Sequence, residues 1–126
     1  MQAKIVRTTI LSAIVALSLP AAALAAGDAA AGKALFMTNC MSCHGPGGKG
    51  DGPVAAALNP KPRDLSKGEF NFDTDKDGSP GSDADIKGVI KSGAAAYGGS
   101  PLMAPWPALS DADLDNLVAY IRTLKE

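Results

Sequence analysis

The sequence predicts a small all-α domain of about three to five helices, and three observations predict it. Three segments carry helix caps followed by apolar residues at helical spacing. No segment shows the strict alternation of a half-buried strand. Cys40-Met41-Ser42-Cys43-His44 sets two thiols three positions apart, with an imidazole directly after the second. That spacing organises a chain around a prosthetic group rather than around a sheet.

The N-terminus comes first. Lys4 and Arg7 form a short basic region, Ile10 to Leu19 an apolar run, and Ala23-Leu24-Ala25 an A-x-A pattern. Together they read as a secretory signal peptide over residues 1–25, cleaved after Ala25. The alternative is an uncleaved membrane anchor, for which the apolar run is barely long enough. Residues 26–126 then form one small exported domain, expected in the periplasm. Lys4 and Arg7 leave with the leader, so ten basic residues face thirteen acidic ones, a net charge of −3. A nucleic-acid or anionic-lipid binder needs a basic face, so neither class fits.

The first helix is expected from Asp28, an N-cap, through an alanine-rich segment to Cys40. Gly32, Phe36 and Cys40 recur every four residues and share one face. The Cys40–His44 stretch that follows is the attachment pattern of a c-type haem. A two-residue gap lets one helical turn carry both thiols to two vinyl groups on one porphyrin edge. His44, the chain's only histidine, then stands as proximal iron ligand. The competing chemistries lack their partners. A redox CxxC needs a βαβ context, and structural zinc needs four ligands where only Cys40, Cys43 and His44 exist. A disulfide would leave the adjacent histidine unexplained.

Residues 45–81, rich in Gly, Pro and Asp, show little periodicity, and so long a loop normally argues against a compact domain. A large apolar cofactor resolves the conflict, because irregular chain can wrap it. The apoprotein is therefore expected to be largely unfolded. The second helix opens at Ser82-Asp83-Ala84-Asp85, continues through Ile86, Val89 and Ile90, and stops at Gly93. The third opens at Ser110-Asp111-Ala112-Asp113 and carries Leu114, Leu117, Val118, Ile121 and Leu124 as a stripe. Arg122 and Lys125 lie in its last turn, where cations meet the negative end of the dipole.

With these elements in place, the chain resembles a class I (mitochondrial-type) bacterial monohaem cytochrome c. The likeness is carried by Gly32-Lys33-Ala34-Leu35-Phe36, the Cys40–His44 motif, Gly50-Asp51-Gly52-Pro53, Met103, and the last helix with Leu-Val-Ala-Tyr-Ile-Arg. The resemblance implies that the first and last helices cross closely, with Gly32, Phe36 and Tyr120 at the contact. It also implies a distal methionine. Met1 leaves with the leader, Met37 lies on the proximal helix and Met41 inside the motif, which leaves Met103 in Ser100-Pro101-Leu102-Met103-Ala104-Pro105-Trp106. Ala104 stands where the family commonly has proline. The alternatives are a gap-filling Met103, with a lysine, Tyr97 or an open position at the iron.

The resemblance further suggests that the Pro53 carbonyl accepts the proximal imidazole N–H, and that Arg63 pairs with a haem propionate. Trp106 and Tyr97 would pack at the porphyrin edge or donate to propionates. His–Met ligation favours reduced iron and leaves no open coordination position. The implied function is one-electron transfer between redox partner proteins, by a monomer docking transiently, with no small-molecule substrate and no enzymatic activity. The alternative is a haem enzyme or gas sensor with a displaceable sixth ligand. Asp73-Thr74-Asp75-Lys76-Asp77-Gly78 imitates half of a calcium loop, but Ala84 stands where the bidentate glutamate belongs. A solvated acidic turn is expected. The Gly45–Gly50 run lacks the spacing of a phosphate loop.

Overall fold

In the computed structural model, which describes residues 27–126, Asp28 opens the first helix. Its Oδ1 accepts from the N–H groups of Ala30 at 2.8 Å and Ala31 at 3.3 Å. Helix α1 runs Ala29–Asn39, and Cys40 leads directly into the single turn α2, Met41–His44. Helix α3 spans Asp83–Ser92 and α4 spans Asp111–Thr123. Short 3₁₀ turns occur at Ala55–Ala57, Leu65–Lys67 and Ala94–Tyr97. The described residues contain no strand. Among them, no helix is long and apolar enough to cross a membrane. The expected leader and its cleavage point lie outside the described residues.

Both later helices start with reciprocal capping boxes. Ser82 Oγ accepts from the Asp85 N–H at 3.1 Å, while Asp85 Oδ2 accepts from the Ser82 N–H at 2.9 Å. Ser110 and Asp113 repeat the arrangement at 3.1 Å in each direction. Two of the donors orphaned at each helix start are thereby satisfied.

The most extensive helix contact is α1 against α4. Glycine at position 32 is required there, because a Cβ would overlap the Asn116 carbonyl oxygen. Phe36 meets Tyr120 edge-on, with centroids 5.2 Å apart. Asn116 Oδ1 accepts the Asp28 N–H at 2.7 Å and ties the start of α1 to the same crossing. Phe36, Leu114 and Leu117 are the most buried apolar side chains, and Ile86, Ile90, Val118 and Ile121 complete the core. Ion pairs Lys87–Asp115 (2.7 Å) and Lys91–Asp111 (3.3 Å) lie along the α3–α4 seam. Being largely solvated, they contribute at most about 1 kcal/mol each.

The 45–81 segment is irregular but anchored. The N–H groups of Gly50, Gly52 and Val54 donate to the carbonyls of His44, Cys43 and Ser42 at 2.8, 3.1 and 3.1 Å. Further on, the Leu65 N–H donates to the Gly48 carbonyl at 2.6 Å. The loop therefore closes over the Cys40–His44 turn. Its acidic portion is also tied inward, since Asp85 accepts the Thr74 N–H.

Candidate haem site

The anchored loop, α1–α2, α3 and the chain after it line an open cavity of about 750 Å³. Small-molecule and cofactor sites commonly occupy roughly 300–1,000 Å³. Cys40, Cys43 and His44 line it from the one-turn helix, and Met103 and Trp106 from the segment ahead of α4. Leu58, Phe70, Phe72, Ile86 and Ile90 make much of the remaining wall. A large, flat, apolar group with two points of covalent attachment fits this donor set and lining.

Burial pushes the Cys40 thiol up to about 11, with the neighbouring Cys43 adding to the rise. It is therefore held as S–H. Burial lowers the His44 pKa, against a smaller upward pull from its hydrogen bond to Arg63. The neutral imidazole is the form that binds a metal. Its tautomer follows from geometry. His44 Nδ1 lies 3.1 Å from the Arg63 carbonyl oxygen, which can only accept, so Nδ1 carries the proton and Nε2 keeps a lone pair.

This hydrogen bond corrects one expectation. The acceptor is the carbonyl of Arg63, not that of Pro53. Pro53 is exposed, between Gly52 and Val54 whose N–H groups hold the attachment turn, and it does not line the cavity. Pro60 and Pro62 restrict the backbone that presents the Arg63 carbonyl, a signal present in the sequence and missed there. Arg63 itself lines the cavity, and its Nη1 donates to the Glu69 carbonyl at 3.0 Å.

Of the described methionines, only Met103 reaches the cavity; Met37 is exposed and Met41 lies off it. Tyr97 does not line the cavity either and sits 6.5 Å from Phe72, ring centre to ring centre. Lys61 lines it, one residue from Pro62 and two from the Arg63 carbonyl that holds His44. Trp106 is partly buried against the core, its backbone N–H donating to the Ile90 carbonyl at 2.9 Å. Asp73, Asp75 and Asp85 bring carboxylate oxygens within 4.8 Å of one another. Asp73, Asp75 and Asp85 each already accept backbone N–H groups of their own loop and cap.

Residues 29–125 match the sequence model of the family described as Cytochrome c. The chain belongs to the cytochrome c family. It is 42% identical over 103 residues to cytochrome c-554(547) of Halothiobacillus neapolitanus, covering 79% of this chain and 100% of that protein. It is also similar to a chain in the reducing HAO-like protein complex of Kuenenia stuttgartiensis, with a TM-score of 0.65 and 29% identity. That likeness covers 80% of this chain and 44% of the other, so the present chain spans less than half of that polypeptide. Family membership establishes the all-α class I cytochrome c fold, a haem c cofactor and haem-based electron transfer with redox partner proteins.

Proposed function

We propose that this cytochrome c is an exported, periplasmic one-electron carrier holding a single haem, with Cys40 and Cys43 as covalent anchors and His44 and Met103 as axial ligands. The observation that carries the reading is the shared cavity. Among the described residues it gathers both cysteines, the only histidine and just one methionine.

Cys40 and Cys43 would hold the group covalently: each thiol would add across one vinyl group, sulfur to one carbon and hydrogen to the other, so that no oxidant would be consumed. The bound cofactor supplies a reversible one-electron iron couple. His44 is oriented for its part by the Arg63 carbonyl, which fixes ring angle and tautomer. Met103 supplies a thioether, which favours the reduced state, and two protein ligands leave no position for substrate. These features support a carrier that transfers electrons without chemistry on a second molecule. The likeness to a chain of a reducing HAO-like protein complex supports a redox protein complex as one partner; we further propose that a monomer meets its partners transiently.

The test combines mass measurement, visible spectra of both redox states and potentiometry on material matured with haem. One covalently bound group, a low-spin spectrum in both states and no carbon monoxide binding by the reduced protein are expected. Met103→Ala is expected to lower the potential and admit carbon monoxide. A variant that keeps the parent spectrum and potential would overturn the ligand assignment.

A further inference from the structure

We infer that Gly93 is a positioning residue for the distal ligand: its backbone, closed to side chains, lets the end of α3 seat the Met103 peptide against the cavity. The inference rests on the reading of Met103 as axial ligand. Gly93 ends α3 with φ 77° and ψ 155°, a region essentially reserved for glycine. It is buried. A Cβ there would lie 2.9 Å from the Met103 carbonyl oxygen, 3.1 Å from Pro105 N and 3.2 Å from Pro105 Cδ. Two of these are backbone atoms and the third belongs to a ring, so none can swing aside.

The Met103 peptide is held at both ends. Its N–H donates to the Ser100 carbonyl at 3.2 Å, and its carbonyl accepts the Ala94 N–H at 3.2 Å. Three residues on, the Trp106 N–H donates to the Ile90 carbonyl at 2.9 Å. The loop bearing Met103 is thus latched onto the last turn of α3 and the start of the following 3₁₀ turn, with Gly93 between the two bonds. Gly98 provides the contrast. It too has a positive φ, +81°, yet a Cβ there would meet nothing within 4 Å. A side chain at 98 strains only a turn, whereas one at 93 must push the methionine-bearing loop away from α3.

The experiment uses the haem-loaded protein and follows imidazole displacing the distal ligand from the oxidised iron, by visible spectroscopy. The far-red methionine–iron(III) charge-transfer band and the midpoint potential are read alongside. Gly93→Ala is expected to admit imidazole at about tenfold lower concentration and to lower the potential. Gly98→Ala, strained in the same loop, keeps the parent titration even where its melting temperature falls. Equal imidazole titrations for the two variants would overturn the inference.

Should Gly93→Ala fail to accumulate, Ala94→Pro replaces the N–H given to the Met103 carbonyl by a ring Cδ that must press on the same oxygen, at the first residue of a 3₁₀ turn where the fixed φ of proline fits. It is expected to shift the titration in the same direction, and a parent-like titration would overturn the inference. Met103→Ala separates the two levels. If it leaves the charge-transfer band intact, the ligand reading falls and the role of Gly93 with it. If it abolishes the band while Gly93→Ala and Ala94→Pro titrate like the parent, only the role of Gly93 falls.

Discussion

Asp85 shows how much one side chain can organise. It is 1% exposed, yet it stays ionised because Ser82 and the Thr74 N–H donate to it, holding its carboxyl down at about 2. One oxygen accepts from Thr74 and the other from the Ser82 N–H and hydroxyl. A folded pKa below that of the unfolded chain means that the stabilisation is complete above about pH 4 and is lost as pH falls towards 2. Asp85→Asn cannot accept on both sides, so it is expected to lower the melting temperature at pH 7 and to flatten the decline between pH 4 and 2. A variant curve parallel to the parent's across that window would remove Asp85 as its source. At the same scale, His44 owes its tautomer to a main-chain carbonyl, which survives any substitution of the Arg63 side chain that leaves the backbone in place. Arg63→Ala is therefore expected to keep the low-spin spectrum, and its loss would show that the guanidinium matters to the iron.

Among the elements, the caps and the crossing carry separable contributions. Ser110 caps α4 and Ser82 caps α3 through the same reciprocal bonds. Ser110→Ala is expected to cost about 1 kcal/mol in denaturant unfolding, the ordinary value of an N-cap. Gly32→Ala is expected to cost about 2–3 kcal/mol or more, because the added methyl meets main chain rather than a mobile side chain. If Gly32→Ala proved no worse than the cap variant, the tight approach of α1 to α4 would not hold in solution. These elements were legible because their signals are local. Asp28, Ser82 and Ser110 announce their helices within three residues. The 45–81 segment was legible only as irregular, since its bonds run from Gly50, Gly52 and Val54 back to the attachment turn.

At the scale of the whole molecule, the cavity of about 750 Å³ lies between elements that meet mainly through α1 and α4. Protein interiors are close-packed, and apolar walls facing solvent forfeit the contacts that hold them. Far-UV circular dichroism of the apoprotein is expected to show little helix, with most of it regained only in the haem-bound form; a native-like apo spectrum would show that the α1–α4 core suffices. The acidic turn makes a smaller claim. Its carboxylates are already engaged with loop N–H groups, so calcium is expected to leave the melting temperature unchanged. A rise on titration would mean that the turn exchanges those bonds for a cation.

The sequence by itself determined the helices and the residue types able to take a haem, because caps, periodicity and the Cys-x-x-Cys-His spacing are written in neighbouring positions; the glycine at the crossing was expected only from the family resemblance. Only the tertiary structure decided that the Arg63 carbonyl, not that of Pro53, holds His44, and that Met103 alone among the described methionines reaches the cavity. Those outcomes depend on where a long irregular segment folds back. A main-chain carbonyl carries no residue signature, so its partner becomes visible only once distant stretches of chain are brought within hydrogen-bonding distance.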